Sequence, residues 1–298
     1  MQLITVVGAT GRQGGSVVDY LLKNDKRWKV RATTRNTNSE KSDELRKKGV
    51  EVVECNLDVY EQVKNAFKGS YGVFMMTDYW QAKEKEVEQG KNMCKAALEE
   101  KVTHVVWTSL YDADAITSKQ LYLPHYQNKA EVEKYLKNEC SSIPIINTAI
   151  VGFYFSNLST WFQPEQIGDN EYVFRQPISK ETTLPTYDVN DTGKVVAKLF
   201  EHPEKYTSAH APIPLVSQNL TITDICNVLN KVKGVSIKHE PQSYEEFGAH
   251  NMPETTNNMK WYEFYKDHII QAEKENRVVD MLTFEDWLKS DPNRITLK

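Results

Sequence analysis

The sequence predicts an α/β fold in which a doubly wound parallel sheet is followed by a smaller, mixed C-terminal lobe. Three observations support this prediction. Short β-rich runs alternate with amphipathic stretches over the first half of the chain, as in right-handed βαβ units. A glycine-rich loop separates the first apolar run from the first helical pattern. After Val151 this alternation loosens, and prolines from Pro164 to Pro253 punctuate short elements.

The elements of the first half follow from the spacing of apolar residues. Strands are predicted where apolar, β-branched runs occur, at residues 3–7, 28–34, 50–55, 71–76, 102–108 and 143–151. Helices are predicted directly after the glycines and over residues 60–67 and 83–100, where apolar residues recur at helical spacing. The charged run 36–48 is interpreted as the solvated face of a helix.

In the second half of the chain, the sequence pattern predicts helices over 190–201, 221–233 and 283–289. Thr221 with Asp224, and Thr283 with Asp286, have the spacing of helix N-terminal caps. We therefore divide the chain into a sheet domain over 1–151 and a smaller lobe over 152–298 that forms the other wall of a cleft. A return of some segments of the lobe to the sheet stays open.

Composition excludes several classes of protein. The chain has 298 residues, 37 Lys and Arg against 41 Asp and Glu, and a net charge of −4, which argues against direct nucleic-acid binding. Its longest apolar run, Ala149–Phe155, is far shorter than the ~20 residues of a membrane span. Four scattered cysteines without a CxxC pair predict free thiols, no metal site and a reducing compartment. The first ten residues lack the features of a signal peptide, so a cytoplasmic location is expected.

The glycine loop has the sequence GATGRQGG and contains Gly8, Thr10, Gly11, Arg12, Gln13 and Gly14. Gly8 permits a tight turn, Gly11 lets backbone N–H groups approach a pyrophosphate, and Gly14 permits close packing of the helix. An anion at this place is stabilised by the N–H groups and dipole of the helix N-terminus. The loop therefore predicts a Rossmann-type nucleotide-binding site.

The second strand ends at Arg35, where NAD-binding sites place an acidic residue on the ribose 2′-hydroxyl. An arginine instead pairs with a 2′-phosphate through its fork of donors, and Lys41 is close enough in sequence to assist. NADP(H) is therefore the predicted cofactor. The alternative is that Arg35 is only a surface arginine.

The glycine loop, Arg35 and the segment LPHYQNK over 123–129 together resemble the NmrA-like family of atypical short-chain dehydrogenase/reductase proteins. The segments VGFYFSNL at 151–158 and TFEDWL at 283–288 fit the same family, so the resemblance covers nearly the whole chain. It implies a Rossmann fold, NADP(H) binding and a cleft. It leaves the activity open, because the family includes transcriptional co-regulators and an NADPH sensor, while its superfamily includes reductases.

The resemblance also implies roles for several residues. Asn56, Leu57 and Asp58, after the third strand, should line the adenine. Met75, Met76 and Thr77 should lie beside the nicotinamide ribose, and Lys129 should contact that ribose. Phe153, Tyr154 and Phe155 should close over the nicotinamide. Two alternatives stay open: the methionines could belong to the core, and Asp58 could cap the following helix.

The tyrosine of the short-chain dehydrogenase YxxxK pair is missing. The pattern occurs at Tyr60/Lys64, Tyr79/Lys83 and Tyr262/Lys266, and none of these lies on the helix after the fifth strand. On that helix His125 stands four residues before Lys129, so both could share one face. The candidate catalytic residues are therefore Lys129, His125 as a proton donor, and Ser109 at the end of the fifth strand. Packing or capping by His125, and cofactor binding by Lys129, are the alternatives.

Two functions are weighed. The first is an NADP(H)-responsive regulatory protein or redox sensor without dehydrogenase turnover, which would act through a protein partner of unknown identity. The second is an NADPH-dependent reductase of a quinone or small aromatic substrate, with Tyr154, Phe155, Trp161 and Phe162 as aromatic walls. A scaffold without a cofactor is less favoured, because the glycines and Arg35 are intact. A homodimer and an additional nuclear location are left open.

Overall fold

A computed structural model describes residues 1–23, 27–208 and 211–297 of the chain, except for the side chains of 266–275. The contacts divide the chain into two units. The first contains residues 1–112, 125–150 and 190–213, and the second contains residues 113–124, 151–189 and 214–298. The sequence analysis divides the chain once, after residue 151. The division by contacts differs, because the first unit also includes residues 190–213 from the second half of the chain.

The strands in chain order are β1 Gln2–Val6, β2 Trp28–Thr34, β3 Glu51–Glu54, β4 Gly72–Met75, β5 His104–Ser109, β6 Ile145–Val151, β7 Phe153–Tyr154, β8 Glu165–Gly168, β9 Glu171–Phe174, β10 Thr183–Tyr187, β11 Ile213–Leu215, β12 Gln218–Thr221 and β13 Ser236–His239. The helices are α1 Arg12–Lys23, α2 Glu40–Lys47, α3 Tyr60–Phe67, α4 Tyr79–Ala82, α5 Glu86–Glu99, α6 Ala113–Thr117, α7 Pro124–Glu139, α8 Asp191–Glu201, α9 Ile222–Lys233, α10 Tyr244–His250, α11 Pro253–Asn276 and α12 Phe284–Ser290.

Seven strands of the described residues form the main sheet, in the order β11-β6-β5-β4-β1-β2-β3. All pairings from β6 across to β3 are parallel. The strand order reverses between β1 and β4, and ligands of doubly wound sheets bind outside the carboxyl ends of the strands at such a point. The predicted doubly wound α/β fold is confirmed.

The central strands are apolar runs because helices cover both of their faces. All residues of β4 and β5 are buried. One core cluster joins the sheet to α3, α5 and α7 and includes Phe67, Met93, Trp107 and Leu136. Each of these helices therefore turns its apolar stripe towards the sheet.

Helix α8 belongs to the first unit because it packs against α1 at very short range. The Gly193 amide donates a hydrogen bond of 2.9 Å to the Ser16 hydroxyl oxygen. A Cβ at Gly193 would lie 2.9 Å from a ring carbon of Tyr20 and closer still to the Ser16 backbone. The predicted helix over 190–201 therefore forms, but it completes the sheet domain.

The second unit contains two small three-stranded sheets, β12-β10-β7 and β13-β9-β8, with α9 to α12. Helix α9 begins with a full capping box between Thr221 and Asp224, and the Thr283 hydroxyl oxygen caps α12 by accepting the Asp286 amide, as the sequence predicts. Both helices bury apolar faces in this unit.

Candidate functional site

The glycine loop lies at the carboxyl end of β1, beside β4. Gly8 has φ +69°, a left-handed conformation that glycine adopts without steric strain. A Cβ at Gly8 would lie 2.7 Å from the Sδ atom of Met76, so the residue after β4 fills the space behind the loop. The Gly11 amide donates to the Gly8 carbonyl oxygen at 2.9 Å and closes the turn.

Gly14 in the first turn of α1 brings the helix against the loop. A Cβ there would lie 2.5 Å from the Gly8 carbonyl carbon and 2.8 Å from the Ala9 nitrogen. The first turn of α1 contains no acidic residue. A helix N-terminus without a competing carboxylate, behind a glycine turn, suits a pyrophosphate group.

Two cations lie at the carboxyl edge of the sheet, one directly after β2 and one on α2. Arg35, directly after β2, is exposed, and its Nη2 donates to Gln81 Oε1 at 2.5 Å. The Gln81 amide nitrogen donates to Asp78 Oδ2 at 2.6 Å, which turns its oxygen towards Arg35. Lys41 on α2 reaches back to the loop, with Nζ donating to the Thr10 carbonyl oxygen at 3.0 Å.

The residues after β3 form a turn held by side-chain hydrogen bonds. Asn56 Oδ1 accepts from the Asp58 amide at 3.1 Å, and the Leu57 carbonyl oxygen accepts from Asn92 at 3.0 Å. The reading of Asp58 as a helix cap is wrong, because Val59 is the residue that precedes α3. The Asp58 carboxylate instead accepts hydrogen bonds from Gln89 and Lys85, which lower its pKa.

Met75 is the last residue of β4, Met76 and Thr77 follow it, and the three side chains have different environments. Met75 is fully buried within the core cluster of the first unit, as in the core alternative. Met76 is partly exposed behind Gly8, and Thr77 is 3% exposed. Thr77 is the residue that brings β4 into contact with Lys129.

Lys129 on α7 has a complete set of hydrogen-bond acceptors. Its Nζ lies 2.8 Å from the Thr77 carbonyl oxygen, 3.0 Å from Thr77 Oγ1 and 2.8 Å from Glu86 Oε1. An ammonium group has three N–H donors, so these three acceptors occupy all of them. The Trp107 ring lies beneath, with Nζ 5.7 Å from its centroid.

Glu86 is the residue of this cluster that the sequence reasoning missed. It lies inside a run dense in charge, KEKEVEQGK, which suggests a solvated helix, yet its side chain is fully buried. Its Oε1 also accepts from Thr77 Oγ1 at 2.7 Å, while Oε2 is buried without a hydrogen-bond partner. The available signal was its helical spacing with Gly90 and Met93, which puts Glu86 on the apolar stripe of α5.

The other two candidate catalytic residues have different surroundings. The His125 ring centroid lies 5.8 Å from that of Tyr79 and 5.7 Å from that of Trp80, in an aromatic cluster beside α4. Ser109 is fully buried, and the carbonyl oxygens of Leu110 and Lys129, at 3.2 and 3.4 Å from its Oγ, share its one hydroxyl proton.

The YxxxK pairs elsewhere in the chain also have local partners. Lys64 forms an ion pair of 2.7 Å with Glu99, and Lys83 Nζ lies 4.9 Å from the centroid of Tyr79. Tyr262 is buried in the second unit, and the side chain of Lys266 lies outside the described residues.

Phe153, Tyr154 and Phe155 belong to the second unit. Phe153 is 3% exposed and lies 5.0 Å from Phe162, and Phe155 is 1% exposed and lies 5.0 Å from Phe284, as centroid distances. Tyr154 is half-buried beside Tyr187. The phenylalanine rings therefore contribute to the aromatic core of this unit.

Two features of the described residues lie outside this site. A groove of about 640 Å³ opens at the amino-terminal edge of the sheet, where Arg31 pairs with Glu51 at 3.0 Å, and no residue of the glycine loop lines it. No group of three or more His, Cys, Asp or Glu within the described ranges is placed to hold a metal ion. In the same part of the chain, no helix is both long and apolar enough to cross a membrane.

Comparison with known proteins places these observations in a family. The model of the NmrA-like family matches residues 1–287. An NmrA-like family domain-containing protein of Dictyostelium discoideum is 27% identical over 96% of both chains. The NmrA-like family domain-containing oxidoreductase hkm9 of Aspergillus hancockii is 28% identical over 85% of this chain and 79% of its own. NmrA, a negative transcriptional regulator solved in complex with NADP, has the same fold, with a TM-score of 0.78, 18% identity and coverage of 97% and 95%.

Proposed function

We propose that this chain, which belongs to the NmrA-like family, binds NADP(H) at the carboxyl edge of its sheet and acts as a redox-responsive regulatory protein. The glycine loop with Thr10, Arg12 and Gln13 would hold the pyrophosphate. Arg35 and Lys41 would hold the 2′-phosphate, since Arg35 directly follows β2, the neighbour of β1, and Lys41 donates to Thr10 in the loop. Asn56 and Leu57 would line the adenine, and Lys129 with Met75, Met76 and Thr77 would lie beside the nicotinamide ribose.

The observation that supports regulation over dehydrogenase turnover is the environment of Lys129. Reduction of a carbonyl needs a proton donor beside the hydride acceptor. All three N–H donors of Lys129 have acceptors within 3.0 Å, and the dehydrogenase tyrosine is absent from α7. The single hydroxyl proton of Ser109 already has two carbonyl oxygens as acceptors. Lys129 and Ser109 therefore already donate to acceptors within the protein, while His125, the third candidate, packs against the rings of Tyr79, Trp80 and Tyr126.

A single segment after β4 supports a regulatory response. Its two ends, Thr77 and Glu86, contact Lys129, and Gln81 between them contacts Arg35. A dinucleotide that binds both Arg35 and Lys129 would replace hydrogen bonds that these two side chains now make to the segment. Such an exchange changes protein conformation only as far as the two states differ in affinity for the ligand. We propose that a protein partner binds one of the two conformations. A nucleic-acid partner is less favoured, because the chain has a net charge of −4.

The experiment has two steps in one sample. NADPH and NADH are titrated by fluorescence, and quinones, enones and aldehydes are then added while NADPH oxidation is followed by absorbance. NADPH binding that is tighter than NADH binding, without oxidation at ordinary enzyme rates, is the expected result. Rapid oxidation with any of these substrates contradicts the regulatory role, and absence of binding contradicts the cofactor.

An NADPH-dependent reductase of a flat aromatic substrate is the second candidate. The exposed ring of Trp80 beside His125 and Tyr79 favours it, since Trp80 is 53% exposed next to the α7 helix that carries Lys129. The fungal relative named as an oxidoreductase points the same way. Trp80→Ala should then raise the KM for a quinone without changing NADPH affinity, and an unchanged KM contradicts a substrate role for this ring.

A further inference from the structure

We infer that Glu86 is a positioning residue that fixes the ammonium group of Lys129 for the nicotinamide half of the dinucleotide. This inference rests on the proposed NADP(H) site. It follows from the burial of the Glu86 carboxylate, from its contacts and from the packing of the two helices that carry the pair.

The ion pair is poorly explained by stability alone. The Glu86 side chain is 0% exposed and that of Lys129 is 12% exposed, so both charges have lost most of their hydration. Buried ion pairs often stabilise a fold no better than apolar residues of similar volume. Here Glu86 Oε2 has no hydrogen-bond partner, which adds a further desolvation penalty. The arrangement instead holds one ammonium group at a defined point.

Packing between α5 and α7 fixes the distance between the two charges. Gly90 lies one turn after Glu86, and a Cβ there would lie 2.7 Å from Val132 Cγ1 and closer still to Cγ2. Val132 lies three residues after Lys129, on the same side of α7. Close contact of the backbone of α5 with Val132 therefore keeps the two helices near enough for Lys129 Nζ to lie 2.8 Å from Glu86 Oε1.

The orientation of Lys129 also depends on Glu86. Thr77 Oγ1 donates to Glu86 Oε1, so its lone pairs face Lys129 Nζ at 3.0 Å. When a ribose hydroxyl oxygen accepts a hydrogen bond from Lys129 Nζ, it replaces one of the three protein acceptors. The other two acceptors keep the ammonium group in place. Without the carboxylate, the four-carbon side chain regains rotamer freedom that binding must remove again.

The test compares two ligands on matched variants of the full chain. Glu86→Gln removes the charge and keeps the shape, and Glu88→Gln, at an exposed position of the same helix, is the control. NADPH and adenosine 2′,5′-bisphosphate are titrated by calorimetry, because the second ligand has no nicotinamide ribose. We expect Glu86→Gln to weaken NADPH about tenfold, a typical effect of losing a charged hydrogen-bond partner. The affinity for the bisphosphate should change less than about twofold, and Glu88→Gln should change neither.

Three results overturn the inference. NADPH affinity that is unchanged or tighter in Glu86→Gln removes the positioning role. An equal loss for both ligands indicates general damage to the first unit. A further loss when Glu86→Gln is added to Lys129→Met shows that Glu86 does not act through Lys129.

Two further measurements cover failure of folding and failure of the proposed site. If Glu86→Gln does not fold, Glu86→Asp takes its place, because it keeps the charge and moves it by one methylene. That variant should lose NADPH affinity and keep bisphosphate affinity, and unchanged NADPH affinity overturns the inference. If the unsubstituted protein binds no NADPH, the proposed function and this inference fail together, whereas binding with no Glu86 effect refutes only the inference.

Discussion

Alanine substitutions at two neighbouring glycines of α1 test whether the glycine loop is shaped by close contact. At Gly14 a Cβ would lie 2.5 Å from the Gly8 carbonyl carbon and 2.8 Å from the Ala9 nitrogen, and these are backbone atoms that cannot rotate away. At Gly15 the nearest atom is the Ala9 oxygen at 3.4 Å, an ordinary contact. Gly14→Ala should therefore lower the free energy of unfolding by about 1–3 kcal/mol through overpacking. Gly15→Ala should raise it by about 0.5–1 kcal/mol, because alanine favours a helix.

The two variants form a matched pair on one helix, so the difference between their free energies of unfolding, about 1.5–4 kcal/mol, is the quantity to measure. Urea unfolding followed by circular dichroism gives the midpoints, and an unchanged slope shows that a midpoint shift is a stability change. NADPH titration of both variants then tests the loop itself, and Gly14→Ala alone should bind weakly. Equal stability, or a more stable Gly14→Ala, would refute the close approach of α1 to the loop.

Three further predictions follow from the first unit and the cysteines. Arg35→Ala should weaken NADPH binding by about 1.5–3 kcal/mol, the range for a charged hydrogen bond, and leave NADH binding nearly unchanged in fluorescence titrations. Equal losses of affinity for both nucleotides would contradict the assignment of Arg35 to the 2′-phosphate. Burial lowers the pKa of His104 to about 4, so the unfolded chain binds a proton that the native chain does not. Stability should therefore fall by about 3 kcal/mol as the pH drops from about 6.5 to about 4, and urea unfolding of His104→Gln should lack this loss. All four cysteines are buried and burial raises their thiol pKa, so Ellman's reagent should react with none in native protein and with four in urea; fast native reaction contradicts this.

Much of the first unit could be predicted because its signals are local. The strand over 28–34 and the helix over 60–67 have the predicted bounds, since β-branched runs and helical spacing determine them within one element. Helix α8 was also predicted as an element, but its placement was not. Its position depends on Gly193 meeting Ser16, a contact between residues 177 positions apart that no local pattern contains.

The site divides in the same way. The glycine loop is predictable because a strand, a turn and a helix N-terminus are consecutive in sequence. The environment of Lys129 is not, because Glu86 comes from a helix 43 positions earlier and its burial depends on the packing of Gly90 against Val132. His125 shows the limit of a helical-face argument, since its ring packs among Tyr79, Trp80 and Tyr126 while Lys129 contacts Thr77 and Glu86.

The choice between a regulatory protein and a reductase depends on the supply of a proton more than on hydride transfer. Hydride addition to an aliphatic ketone produces an alkoxide, which needs an acid beside it, and the Lys129 donors are all occupied. Hydride addition to a quinone produces a delocalised hydroquinone anion that water can protonate. A reductase built on this site should therefore accept quinones and leave aliphatic ketones untouched. Ketone reduction at comparable rates would contradict this reasoning, and comparison of Lys129→Met with His125→Ala would show which residue supplies the proton.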